Sequence, residues 1–98
     1  MKFTHSVLFD KTGLMRYISH LDLMRLFIRA LRRAGFKLYL TKGFNPRPVV
    51  RVNNALKLGI EAKDQQAEFI LEELVDKETF VKRLNHELPE GIVTKPVS

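Results

Sequence analysis

The chain contains no cysteine, which excludes disulfides, zinc–thiolate sites and cysteine-ligated iron–sulfur clusters built from its own residues. Any such redox centre must come from a partner. No apolar run approaches the roughly 20 residues that span a bilayer. The opening Met1-Lys2-Phe3-Thr4-His5 is strand-like and lacks the apolar core of a secretory signal. The expected location is the cytoplasm, without a membrane partner. Histidine is scarce: His5, His20 and His86 lie far apart, and no pair has the i, i+4 spacing of a helical metal site, so neither a metal nor a cofactor is expected. Internal repeats and low-complexity linkers are also missing. At 98 residues and 45% hydrophobic content the chain holds one core, read as a single domain over 1–98, either complete or the N-terminal part of a longer one.

What is abundant is positive charge. Seventeen Lys and Arg against eleven Asp and Glu give a net charge of +6, which favours polyanions as partners. Most of the excess falls in residues 1–60, and 61–90 is acidic to neutral, so one end or face is expected to be basic.

Periodicity and punctuation predict an α+β order. Residues 2–9 read as a strand, Asp10-Lys11-Thr12-Gly13 as a turn and 14–18 as a second extended piece, together a hairpin. Ser19 has the marks of a helix N-cap, with Asp22 three residues on. The helix it starts is expected over 20–34 and ends at Gly35. Leu23, Met24, Phe27, Ala30, Leu31 and Ala34 form its buried stripe, while Arg25, Arg29, Arg32 and Arg33 share a solvent-facing side. Residues 36–41 alternate as a strand, 42–48 form a loop rich in Gly, Asn and Pro, and 49–53 return as a strand. Residues 54–66 read as irregular or partly extended, 67–74 as a further strand, and a second helix after Asp76 buries Phe80, Val81, Leu84 and Leu88. A last strand covers 92–96. Helices on one face of a mainly antiparallel sheet follow, with a ferredoxin-like arrangement as the first choice.

Ser19-His20-Leu21-Asp22 holds the residue types of a hydrolytic triad. On a helix, however, His20 and Asp22 point about 200° apart, and Ser19 is engaged as the cap. No catalytic residue is assigned. His20 stands in the first turn, where free backbone N–H groups suit an anion; a histidine hydrogen-bonded to a neighbouring loop explains it equally well. The loop Lys42-Gly43-Phe44-Asn45-Pro46-Arg47-Pro48 is shaped by its prolines. It either presents Lys42, Phe44, Asn45 and Arg47 to a phosphate, base or carboxylate, or forms a corner with Phe44 plugging the core. A helix of about 15 residues and a returning strand of about six reach similar heights. One pocket formed by Ser19, His20 and this loop, bordered by Arg16 and Arg51, is therefore expected. The arginine stripe reads as a solvated face or as a surface for RNA or an acidic protein. Base stacking would need exposed aromatics, for which Tyr17, Tyr39 and Phe44 are the candidates.

The run from Arg16-Tyr17-Ile18-Ser19-His20-Leu21-Asp22 to Ala34-Gly35, with Lys42-Gly43-Phe44-Asn45-Pro46, Leu58-Gly59-Ile60-Glu61 and Leu88-Pro89-Glu90-Gly91, resembles the bacterial radical SAM-linked protein family. That family is a domain of unknown function fused to, or encoded beside, radical S-adenosylmethionine proteins. The resemblance covers nearly the whole chain. It implies a radical S-adenosylmethionine protein as partner and a helper role, extending to RNA modification. At Arg47 the family usually has histidine, and arginine suits anion or carboxylate binding rather than acid–base chemistry. Three functions follow as expectations. The first is an accessory domain binding RNA or another anion at the helix start and the 42–48 loop. The second is a module docking on its partner through the arginine face. The third is a minor enzymatic role centred on His20.

Overall fold

The computed structural model describes residues 1–54 and 56–97; Ala55, inside the 54–66 stretch read as irregular, and Ser98 lie outside the described residues. Strand β1 (Phe3–Lys11) turns His5, Val7, Phe9 and Lys11 inward by simple alternation. Helix α1 (His20–Arg33) follows, then strands β2 (Val50–Val52) and β3 (Ala62–Leu71), helix α2 (Lys77–Glu87) and strand β4 (Ile92–Pro96). The sheet order is β2-β3-β1-β4, with every neighbouring pair antiparallel. Two β-α-β units are thus interleaved with both helices against one face, the expected α+β, ferredoxin-like arrangement. Among the described residues no helix is long and apolar enough to cross a membrane.

The core is organised by phenylalanine. Phe27 of α1 meets Phe9 edge-on at 5.3 Å and Phe69 at 5.2 Å; Phe69 reaches Phe80 of α2 at 5.7 Å, and Phe80 touches Phe36 at 4.9 Å. These rings bury area from both helices and both central strands in one cluster, and such contacts contribute about 0.5–1.5 kcal/mol per pair beyond burial. His5 is part of the same core. Its ring stacks on Phe80 at 5.0 Å, its Nε2 accepts from the Val75 N–H at 3.0 Å, and its Nδ1 faces the Phe3 carbonyl at 3.1 Å. The neutral ring protonated at Nδ1 satisfies both contacts.

The helix ends are where local signals placed them. The Ser19 hydroxyl accepts from the Asp22 N–H at 3.1 Å, the Asp76 carboxylate accepts from Thr79 at 2.9 Å, and Gly35 takes φ +82° just beyond α1. Arg83 of α2 lies over the Phe36 ring and donates to the Ala34 carbonyl at 2.6 Å, tying the helices together.

Three strand expectations are corrected. Residues 14–18 do not form a strand paired with β1: Gly13–Tyr17 winds as a 3₁₀ turn, because both edges of β1 are already taken by β3 and β4. The strand expected at 67–74 begins earlier, at Ala62, and ends at Leu71; its polar start is drawn into the sheet by backbone pairing with the end of β1, Gln66 opposite Leu8, Gln65 opposite Phe9 and Ala62 opposite Lys11. Finally, 36–41 and 49–53 are not two separate strands. The first segment makes isolated bridges at Leu38 and Leu40, and only Val50–Val52 of the second is regular.

The 3₁₀ turn is locked to the start of β4, where Thr12 N–H donates to the Gly91 carbonyl at 2.8 Å. Gly91 has φ +99°, and a Cβ there would stand 2.6 Å from the Thr12 oxygen and 2.8 Å from Met15 Cγ. Gly91→Ala is therefore expected to lower unfolding free energy by at least about 2 kcal/mol, read as a lower urea midpoint with an unchanged m-value.

Candidate functional site

The most exposed part of the molecule originates at one residue of β3. The Ile70 carbonyl accepts from the Tyr39 N–H at 3.1 Å, and the Ile70 N–H donates to the Val49 carbonyl at 3.2 Å. Leu38 pairs with Leu71 on one side of this point and Val50 with Phe69 on the other. The two segments are halves of one edge strand, and residues 40–48 leave the sheet between them. The excursion is closed by the Leu40–Pro48 bridge, by Thr41 N–H donating to the Arg47 carbonyl at 2.9 Å and by Arg47 N–H donating to Thr41 Oγ1 at 3.0 Å.

The returning end of this loop faces α1. Arg47 and Pro48 line a cleft of about 560 Å³ together with Arg25, Arg29 and Arg32, and Leu21 and Ile28 complete its wall. Four arginines from two elements thus line one cleft. Arg25 has Asp22 at 3.7 Å, an exposed pair of little energetic weight. Among the described residues no carboxylate forms an ion pair with Arg29, Arg32 or Arg47. Arginine stays charged at any physiological pH, so the cleft is a concentrated positive field held open by an apolar wall.

The residues expected to form one pocket are distributed differently. Arg47 meets the flank of α1, because the loop leaves the edge strand opposite Ile70 and not at the strand's far end. Ser19 is occupied as the cap, and His20 is exposed at the helix start, off the cleft wall. Lys42, Phe44 and Asn45 are exposed on the loop, and Phe44, fully so, does not plug the core. Arg51 pairs across the sheet with Glu68. Arg16 is folded back, its guanidinium donating to the Gly13 carbonyl at 2.8 Å and to the Tyr17 hydroxyl at 3.0 Å. Arg33 turns to the other flank of α1, beside His86 and Glu87.

The uncovered face of the sheet offers no stacking platform. Pairing brings Thr4, Ser6 and Leu8 of β1 beside Ile70, Glu68 and Gln66 of β3, none of them aromatic. Tyr39, at the edge, has the Lys2 ammonium over its ring at 5.2 Å. Lys95 bridges Asp10 at 3.2 Å and Asp64 at 2.5 Å on this side.

The chain belongs to a family of uncharacterized proteins conserved in bacteria, DUF2344. The family model matches residues 5–97, which include every residue of the cleft. No curated protein matches the chain.

The DUF2344 domain also contains a feature that the sequence alone did not reveal. Lys11 is 1% exposed, and its ammonium donates to the Arg16 carbonyl at 3.3 Å and the Lys57 carbonyl at 3.2 Å. The Arg16 carbonyl also accepts from the Gly59 N–H at 2.6 Å, and the Glu61 carboxylate accepts from the Gly13 N–H at 2.8 Å. Leu58-Gly59-Ile60-Glu61 is thereby clamped onto the 3₁₀ turn, leaving Tyr17, Leu58 and Ile60 exposed. The signal that could have found it is the alternation His5, Val7, Phe9, Lys11, which puts the lysine on the core side.

Burial lowers the pKa of Lys11 below the ordinary 10.5. A neutral amine still has two N–H groups for two carbonyls. Because the unfolded chain holds this proton more tightly than the folded one, Lys11 makes stability rise with pH between the lowered value and 10.5. The wild-type unfolding free energy minus that of Lys11→Met is expected to increase across this interval and level off above it, measured by urea titration at stepped pH.

Proposed function

We propose that this domain is an accessory module that binds RNA through its phosphates, in the cleft between α1 and the 40–48 loop. The observation that carries the reading is the meeting of Arg25, Arg29 and Arg32 with Arg47 around one cleft, three of them without a carboxylate partner among the described residues. Like charges gathered on a rigid helix and a braced loop repel one another, and a polyanion relieves that repulsion while releasing its counterions. The resemblance to radical SAM-linked proteins supplies the setting, a helper beside a radical S-adenosylmethionine protein; the chemistry belongs to that partner.

A second reading, docking on such a partner, is favoured by the apolar group Tyr17, Leu58 and Ile60, exposed yet fixed by the Lys11 clamp. Rigid apolar surface of this kind suits protein contact. In that case Leu58→Glu with Ile60→Glu weakens the complex, at side chains outside the arginine cleft, and leaves RNA affinity and its salt slope unchanged.

The RNA reading is tested with a labelled 12-nucleotide RNA at about 50 and about 200 mM salt. Wild-type affinity is expected to fall steeply with salt. Arg29→Ala with Arg47→Ala is expected to flatten the log–log slope by about 0.7 for each phosphate left without its arginine. Unchanged affinity and slope in the double variant overturn the reading.

A further inference from the structure

We infer that the RNA taken by this cleft is unpaired, and that Phe44 is the platform on which one of its bases stacks. The inference rests on the phosphate-binding reading and adds the substrate class. Of the nine aromatic residues, Phe9, Phe27, Phe36, Phe69 and Phe80 are buried and Phe3 is half-buried in β1. Tyr39 lies beneath the Lys2 ammonium. Tyr17 has the Arg16 guanidinium at 4.5 Å over its ring and donating to its hydroxyl at 3.0 Å. Phe44 is the one ring left fully exposed.

Its exposure is imposed by the loop. The Leu40–Pro48 bridge and the reciprocal Thr41–Arg47 hydrogen bonds close the base of the excursion, and the two prolines restrict its backbone. The ring is therefore carried outward on a constrained support, so little freedom remains to be lost when a flat ligand lands on it.

Position gives the ligand class. Phe44 precedes Arg47 by three residues, at most about 11 Å of extended chain, and Arg47 lines the arginine cleft. A base on Phe44 and the phosphates beside it in the cleft are thus one continuous stretch of strand. A duplex shows phosphates but keeps its base faces stacked inside the helix, so it engages the arginines alone. Unpaired RNA satisfies both parts, the arrangement by which single strands are generally held.

The test compares a single-stranded 12-nucleotide RNA with a duplex of equal length by fluorescence anisotropy, using wild type, Phe44→Ala and Phe44→Trp. The expected result is preference for the single strand. Phe44→Ala should reduce that affinity about 5- to 150-fold while leaving duplex affinity and the salt slope unchanged, and Phe44→Trp should retain it with quenched tryptophan fluorescence. Phe44 makes no core contact, so thermal melting of Phe44→Ala should match wild type. If both RNAs bind equally, with arginine dependence, and Phe44→Ala is silent, this inference falls and the phosphate reading stands. If neither RNA binds wild type at about 50 mM salt, both fall.

Discussion

The packing of Phe69 between Phe27 and Phe80 fixes the strand on which the rest of the molecule hangs. β3 sits between the edge strand and β1, and an aromatic side chain held at 0% exposure by both helices leaves it no freedom to slip. A one-residue shift would expel Phe69 and bury polar neighbours. The residue after Phe69 then has its backbone presented to the edge at a set height. Ile70 uses it to end one half of the edge strand and begin the other. The place where the 40–48 loop leaves the sheet, and so the height at which Arg47 meets α1, is a consequence of core packing.

Positive charge is handled in two opposite ways in this small domain. Lys11 is taken into the interior, where burial weakens its hold on the proton, and it serves as a clamp because its amine reaches two carbonyls remote from each other in sequence. The arginines are left outside. Leu23, Leu26, Phe27, Ala30 and Leu31 occupy the inward side of α1, which forces Arg25, Arg29 and Arg32 to the side the loop approaches. Arginine suits this role better than lysine: its fork binds phosphate oxygens in pairs and its plane stacks on rings. Burial there would be costly without counter-charge, so the cleft is shallow by necessity.

What was legible in the sequence was local or periodic. Ser19, Asp76 and Gly35 marked helix ends through hydrogen bonds and a left-handed turn formed within a few residues, and the stripe of α1 announced its buried side. The ferredoxin-like order followed from alternating elements. Three features depended on distant partners and were not legible. The short run 14–18 is as apolar as a strand, yet becomes a 3₁₀ turn because β1 has no free edge. The two apolar segments around the 42–48 loop look like separate strands, and only Ile70, some twenty residues further on, joins them. Lys11 looks like part of a polar turn until Lys57, remote in sequence, supplies its second carbonyl. The expected meeting of His20 with the loop rested on two full-length elements side by side; the halved edge strand moved the meeting to the helix flank.

The interrupted edge also answers a hazard of the fold. An open four-stranded sheet has two exposed edges, and a long regular edge strand invites pairing with another chain. Here the β2 edge is regular over only Val50–Val52, and the excursion projects between it and the Leu38 bridge, so the edge offers no long regular strand for pairing. Pro46 and Pro48 remove two of the loop's own donors, which keeps it from extending the sheet. A projection long enough to block the edge must expose residues at its tip, and a purely protective loop would be served by polar ones. Instead its tip holds phenylalanine and its returning arm holds an arginine that lines one cleft with three more. Protection of the edge accounts for the length of the loop; it does not account for that choice of side chains, which the proposed binding of an unpaired strand would.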